Sequence, residues 1–255
     1  MSGSISIIGL GPGGLDWFTP GGMLALQSAD IILGYQKYLA QIEGILPHIP
    51  RVSSGMRHEV ERARQAIGYA EQGKHVAVVS GGDAGIYGMA GLVLELLAKS
   101  VDPQMHVEIL PGISALNAAA ALLGAPLMTD FAVISLSDYL IPLDTILTRL
   151  RAAVTGDFVI CLYNPRSHQR VDPFDRALKL LINELGADRP AGLVQAAYRL
   201  DQKVTVTCLR EIAGMDIGMD SLLIIGNKST RVLDGRLVTP RGYPLQSDKE
   251  KLDEA

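Results

Sequence analysis

One stretch, Ser80-Gly81-Gly82-Asp83-Ala84-Gly85-Ile86-Tyr87-Gly88-Met89-Ala90-Gly91, constrains this chain more than any other. The unbroken apolar run His75-Val76-Ala77-Val78-Val79 before it predicts a fully buried strand, and Leu92 to Ala98 after it predicts a helix. Glycine serves where backbone turns with positive φ or approaches a ligand closely. Five glycines here make a main-chain surface on which a flat ligand can lie, with Asp83 as a charge or strong acceptor among them. Loops at the carboxyl ends of parallel strands are where open α/β sheets bind ligands, so the stretch reads as a cofactor loop. Asp83 has a second reading, as a turn-forming residue that caps the next helix.

The flanking chain alternates strand and helix. Ser4 to Gly9 is a strand, Gly9-Leu10-Gly11-Pro12-Gly13-Gly14 its turn, and Thr19-Pro20 a helix start with Thr19 as N-cap. Asp30 to Tyr35 is a second strand. Met56 to Gln72 is an amphipathic helix with Val60, Ala63, Ile67 and Ala70 toward the core. Met105 to Leu110 is a strand stopped by Pro111-Gly112, the expected joint of a first domain, residues 1–112. Alternation of this kind implies a mostly parallel sheet. It restarts with a helix from Ser114 to Leu123, a strand from Phe131 to Leu136, a helix from Pro142 to Ala153, the strand around Cys161 and a helix from Pro173 to Leu185. Strands at Ala191–Ala197, Lys203–Leu209 and Ser221–Gly226 have short connections, which predicts hairpins and a mixed sheet in a second domain, residues 113–243. Residues 244–255 form a charged tail.

Composition narrows the function classes. With 48% apolar, 20% charged and only 5% aromatic residues, and 27 glycines, the chain suits an α/β protein with tight strand–helix turns. A net charge of −4 argues against generic nucleic-acid binding, which rests on basic surface. Cys161 and Cys208 sit in apolar strand-like runs and read as buried thiols, and no spacing suits a metal. The N-terminus enters a strand directly, without a signal-like segment, and the most apolar stretch, Ile113 to Met128, is short for a membrane span. A cytoplasmic protein without membrane partners is expected.

Gly9-x-Gly11-x-x-Gly14 matches the dinucleotide fingerprint literally. That fingerprint also wants an acid at the end of the second strand, whereas Asp30 stands before that strand and Gly34-Tyr35 ends it. Pro12 removes an N–H from the turn. The loop reads better as one wall of a crevice whose other wall is the Asp83 loop. Arg51, Arg57, His58, Arg62 and Arg64 form a basic run that is either a solvated helix face or a carboxylate-binding patch. Tyr163-Asn164-Pro165-Arg166-Ser167-His168-Gln169-Arg170, at the end of a buried strand, is either a turn or an anion site. The sequence contains no Gly-Lys-Ser/Thr phosphate loop and no Gly-x-Ser-x-Gly elbow, and its five histidines are scattered.

Together these residues resemble the tetrapyrrole methylases, the SAM-dependent family acting on siroheme and corrin precursors, from Ile5 to about Tyr243. Gly9-Leu10-Gly11-Pro12-Gly13 is similar to that family's first loop, Gly82-Asp83 with Tyr87 to its second, and Pro111-Gly112-Ile113-Ser114-Ala115 to its interdomain segment. Ala84-Gly85 replaces a proline that most relatives carry after the Asp. With Asp130–Asp138, Leu162–Ser167 and Thr239-Pro240-Arg241-Gly242-Tyr243, this is similar to the branch that methylates C17 of precorrin-3B.

The resemblance implies two α/β domains of the tetrapyrrole methylase type, the active site in the cleft between them, and a homodimer. It implies SAM as cofactor, S-adenosyl-L-homocysteine as its product, and Pro12, Gly81, Gly82, Asp83, Ile86, Ser114, Ala115, Tyr163 and Ala197 as cofactor-binding residues. The implied reaction methylates C17 with ring contraction to precorrin-4 in cobalamin biosynthesis. Contraction invites a general base, for which Asp16, Asp83, His58 and His168 are candidates. Arg57, Arg166 and Arg170 are expected partners for the carboxylates of the tetrapyrrole substrate. Open alternatives are another corrin-precursor methyltransferase, including the cobalt-loaded counterpart, and a non-catalytic tetrapyrrole-binding protein.

Overall fold

A computed structural model describes residues 3–166 and 171–244. Packing divides the chain into two units. The first runs through Ala118 and includes Ala197–Leu200; the second comprises Ala119–Ala196 and the chain from Asp201 on.

The first unit is a parallel sheet of five strands, β1 (Ser4–Gly9), β2 (Ile31–Tyr35), β3 (Arg51–Ser54), β4 (His75–Ser80) and β5 (His106–Leu110), in the order β3-β2-β4-β1-β5. Its inner strands β1, β2 and β4 read as near-continuous apolar runs because both faces are covered, whereas the edge strands β3 and β5 are polar and partly exposed. Ile5, Ile7, Val76 and Val78 pack with Ala63, Ile67 and Ala70 of helix α3 (Glu59–Glu71) and Val93 and Leu97 of α4 (Ala90–Leu97). Their alternates Ile8, Ala77 and Val79 pack with Leu26 of α1 (Pro20–Gln27) and Leu39 of α2 (Gln36–Gln41). Thr19 caps α1 by accepting from the Gly22 N–H at 3.2 Å, with Pro20 in the first turn.

The expected α3 face needs one correction. Ala63, Ile67 and Ala70 are buried, but Val60 is exposed and Arg62 is buried. Strand β3 and helix α2 are elements that the sequence pattern does not reveal.

After α5 (Ala115–Leu123), the second unit contains β6 (Gly124–Ala125), β7 (Phe131–Ser135), α6 (Leu143–Thr155), β8 (Val159–Tyr163), α7 (Asp172–Leu185), β9 (Pro190–Gln195), β10 (Lys203–Cys208), α8 (Leu209–Ile212), β11 (Ser221–Ile225), β12 (Arg231–Leu233) and β13 (Arg236–Val238). Its main sheet is mixed, in the order β10-β9-β11-β8-β7. Only β7 and β8 pair in parallel, as the hairpin signals predict for the last third. Phe174 of α7 is fully buried among Leu150, Ile160, Leu162 and Leu223 in its core. A small sheet, β12-β13-β6, is held by a buried polar knot: Thr230 Oγ1 lies 2.8 Å from Thr239 Oγ1 and donates to Asn227 Oδ1 at 3.1 Å. No described helix is long and apolar enough to cross a membrane.

Candidate active site

Strands β5, β1 and β4 are adjacent and parallel, so the segments leaving their carboxyl ends meet at one edge of the first unit. The segments after β1 and β4 are joined by an isolated antiparallel bridge between Gly11 and Gly82. The Gly11 N–H donates to Gly82 O at 3.0 Å and the Gly82 N–H to Gly11 O at 2.8 Å. Both glycines have positive φ, 78° and 65°, in the region where L side chains are strained. The β5 segment closes against them with no room for side chains. A Cβ on Gly112 would lie 2.2 Å from Gly82 O and 2.6 Å from Gly9 O.

Asp83 clasps this junction. One carboxylate oxygen accepts from the Gly85 N–H at 2.8 Å, which shapes its own loop. The other accepts from the Gly112 N–H at 3.1 Å, which ties the loop to the β5 segment. Ser80 Oγ accepts from the Met89 N–H at 3.3 Å and closes the base of the loop. Ser114 is buried, accepts from the Asn117 N–H and donates to Asn117 Oδ1 at 2.6 Å. Beside it the Gly82 Cα faces Ala115 N and Ser114 Cα, which a Cβ there would meet at 3.5 and 3.7 Å. Pro12, Gly81, Gly82, Asp83, Ser114 and Ala115 therefore form one continuous main-chain edge, with Ile86 exposed at its rim.

The remaining predicted residues are distributed as follows. Asp16 is exposed in the short 3-10 turn after the first loop and makes no hydrogen bond among the described residues. His58 precedes α3, is exposed, and its Nδ1 lies 2.9 Å from Glu61 Oε2. Arg57 is exposed with φ of 69°, and its N–H donates to Glu59 Oε1 at 3.2 Å. Tyr163 is half-buried at the end of β8 in the second unit. Arg166 ion-pairs with Asp175 and stands 4.6 Å over the Phe174 ring. Ala197 is half-buried in the short segment that packs with the first unit. His168 and Arg170 lie outside the described residues.

The basic run splits by depth. Arg51 donates to the carbonyls of Ile42 at 3.0 Å and Glu43 at 3.1 Å, so it serves the chain after α2. Arg62 is buried. It donates from Nε to Ser54 Oγ at 2.8 Å and from Nη2 to Gly55 O at 3.1 Å, while Nη1 faces the Met89 sulfur at 3.5 Å. Burial pulls its pKa down, opposed by Glu59 and then Tyr38. Asp30 accepts from the His75 N–H at 2.8 Å, at the amino ends of the strands and away from the loops, which removes it from any ribose role. Among the described residues no group of three His, Cys, Asp or Glu side chains could hold a metal.

Two side chains absent from the sequence reading lie on the same edge. The Tyr38 ring packs on Gly81, and Arg199 donates from Nε to Pro12 O at 3.2 Å. Tyr38 follows the strand ending Gly34-Tyr35 and could have been sought as part of a third loop. Nothing local in the sequence announces Arg199.

A family model described as "Tetrapyrrole (Corrin/Porphyrin) Methylases" matches residues 4–213. The "Probable cobalt-factor III C(17)-methyltransferase" of Salmonella typhimurium is 46% identical over 94% of this chain and all of that protein. The "Cobalt-factor III methyltransferase" of Priestia megaterium is 44% identical over 95% of this chain, which spans only 46% of that longer protein. The "Precorrin-3B C(17)-methyltransferase" of a Sinorhizobium species is 39% identical over 95% of this chain and 98% of that one. Among solved structures, the methyltransferase CobJ superposes with a TM-score of 0.86 at 37% identity, covering 94% of this chain and 100% of that one. Uroporphyrin-III C-methyl transferase from Thermus thermophilus, complexed with S-adenyl homocysteine, shares the fold with a TM-score of 0.68 at 22% identity, covering 88% of this chain and 97% of that one. A glycine-built edge of this construction, in a chain matched along most of its length by that model, makes the protein a member of the tetrapyrrole methylase family.

Proposed function

We propose that this protein is a SAM-dependent methyltransferase of cobalamin biosynthesis, which methylates C17 of a precorrin-3-stage tetrapyrrole with contraction of the ring. The observation that carries the reading is the knot of Gly11, Gly82 and Gly112, clasped by Asp83, in a chain of this family. The knot suits SAM because it offers main-chain polar groups beside the cradle that a Cβ on Gly82 would fill. SAM supplies a methyl group already activated on a sulfonium. The chain's own task in the transfer is alignment and exclusion of water, and orientation of bound reactants contributes about 7–11 kcal/mol in well-aligned systems. Pro12, Gly81, Gly82, Ile86, Ser114 and Ala115 are the proposed holding residues on the first unit, with Tyr163 and Ala197 as further ones.

Ring contraction expels C20 as a hydroxyl on the macrocycle gives up its proton, so it calls for an acceptor. Asp83 is occupied by two backbone N–H groups and His58 by Glu61. Asp16 is the proposed base, since it stands at the first loop with no hydrogen bond among the described residues. Arg57 is proposed to meet a substrate carboxylate. Arg166 is proposed for the same role, although it first has to leave Asp175.

The cobalt-loaded ring is a second reading of the substrate. Its support is that two relatives named for cobalt-factor III stand at 46% and 44% identity, above the 39% of the one named for precorrin-3B, while two others named for cobalt-factor III stand level with it at 40% and 38%. Incubation with labelled SAM and each ring in turn, with mass spectrometry and NMR of the product, tests both. Methyl at another carbon, or no methyl transfer to either ring, refutes the proposal. A homodimer and a cytoplasmic location belong to the same reading, to be checked by light scattering and cell fractionation.

A further inference from the structure

Tyr38 and Arg199 flank a single pair of residues. The ring of Tyr38, on α2, fills the space beside Gly81 so closely that a Cβ there would lie 2.5 Å from its Cε1. Arg199 lies in the segment Ala197–Leu200, which packs with the first unit. Its stem covers Gly13, whose added Cβ would be 2.7 Å from Arg199 Cγ, and its Nε is spent on Pro12 O. The bridge between Gly11 and Gly82 joins the two loops that these side chains cover, and Arg199 is the strongest of the charges acting on the Tyr38 hydroxyl. The neighbouring residue braces the segment, since the Tyr198 ring stacks on Trp17 with centroids 4.0 Å apart.

The polar ends of this pair are unspent. Among the described residues the Tyr38 hydroxyl makes no hydrogen bond, and Arg199 makes no polar contact beyond its Nε. Arg62, close behind, has no carboxylate in ion-pair contact and offers Nη1 only a thioether. Burial raises the Tyr38 pKa, opposed by the charge of Arg199, with smaller influences from Tyr35, Arg62 and Glu59. The phenol therefore stays a protonated donor. Such a group of donors, with planar guanidinium N–H pairs beside a phenol O–H, is matched by a carboxylate.

We propose that Tyr38 and the Nη groups of Arg199 form a carboxylate-binding subsite on the Pro12–Gly81 edge. The subsite rests on the methyltransferase reading, in which two ligands bring that chemistry: an acetate or propionate arm of the macrocycle, or the amino-acid carboxylate of SAM.

Calorimetry on the full chain separates these sources with three probes: S-adenosylhomocysteine, 5′-methylthioadenosine, which lacks the amino-acid arm, and a porphyrin octacarboxylate. Tyr38→Phe keeps the ring on Gly81, and Arg199→Met keeps the stem on Gly13. Loss of about tenfold or more in S-adenosylhomocysteine affinity, with methylthioadenosine unchanged, supports the subsite and assigns it to the cofactor. The same loss for the porphyrin alone supports it and assigns it to the macrocycle. Arg199→Lys keeps the charge without the fork and is expected to lose less, which also carries the test should Arg199→Met fail to fold. Affinities within about twofold of wild type for all three probes overturn the subsite alone. Equal weakening of S-adenosylhomocysteine and methylthioadenosine overturns it as well, since that marks a distorted loop. A wild-type protein that binds none of the probes overturns the methyltransferase reading itself.

Discussion

Gly112→Ala tests the three-loop knot with a single methyl group. Gly112 is not among the positive-φ residues, so alanine meets no backbone penalty of its own and the effect is steric. The new Cβ would lie 2.2 Å from Gly82 O, 2.6 Å from Gly9 O and 2.7 Å from Gly9 C, all main-chain atoms that cannot rotate away. Ordinary contact begins at 3.4 Å, so the segments must part by about 1.2 Å. Overpacking of this kind costs about 1–3 kcal/mol. The parting also stretches the two Gly11–Gly82 hydrogen bonds, at 3.0 and 2.8 Å, and the Asp83–Gly112 bond at 3.1 Å. Losing two of them adds roughly 2 kcal/mol at about 1 kcal/mol each. A total of about 3–5 kcal/mol lowers the melting temperature by about 10 °C in a chain of this size. Displacing the proposed cofactor edge by an ångström slows methyl transfer by about a hundredfold, the scale of a misplacement of that size in a reacting complex. Differential scanning calorimetry and a transfer assay with labelled SAM read the two effects. A variant that melts within about 2 °C of wild type and transfers methyl at the normal rate would show that the glycines are not holding the loops together.

Gly91→Ala is the matched control, because an added Cβ meets nothing within 4 Å in helix α4. It should raise stability by about 0.5–1 kcal/mol in the same calorimetric scan, and a loss would contradict the helix as described. Asp83→Asn leaves one acceptor oxygen where the backbone presents two N–H groups, so one donor is stranded against an NH₂. The expected cost is about 1–3 kcal/mol by urea denaturation, with weaker S-adenosylhomocysteine binding, and unchanged values would count against the clasp. Burial pushes the Cys161 thiol up to about 12 from its ordinary 9.0. In that window the folded state keeps a proton that the unfolded state has released, so stability is unaffected below pH 9 and falls as pH rises toward 12. Urea midpoints across that range should fall less steeply for Cys161→Ala, and parallel curves would exclude the assignment.

The glycine loops and the parallel sheet were legible because their signals are local. An apolar run followed by several glycines has few other uses, and β4 with its loop occupies the expected residues. Depth was not legible. Arg62 shares a charged run with Arg57 and Arg64, yet its place on α3 turns it inward to Ser54, Gly55 and Met89. Val60 has the right helical spacing but lies in the first turn of α3, where it remains exposed. Strand β6 has only two residues and exists through its pairing with β13, which no periodicity can announce. Tyr38 and Arg199 are 161 positions apart in the numbering and cover loops that only the Gly11–Gly82 bridge brings together.

The segment Ala197–Leu200 has a consequence for how this polypeptide can be divided. Positive φ at Ala196 and Tyr198 turns the chain on both sides of Ala197, and the four residues complete a unit whose last strand ends at Leu110. A gene fragment ending at Ala118 would encode the whole parallel sheet but leave Pro12 and Gly13 without their arginine cover and Trp17 without its stacking partner. Half of such a protein is not a smaller version of it: the packing of the first unit includes four residues that lie beyond Ala119–Ala196 of the second.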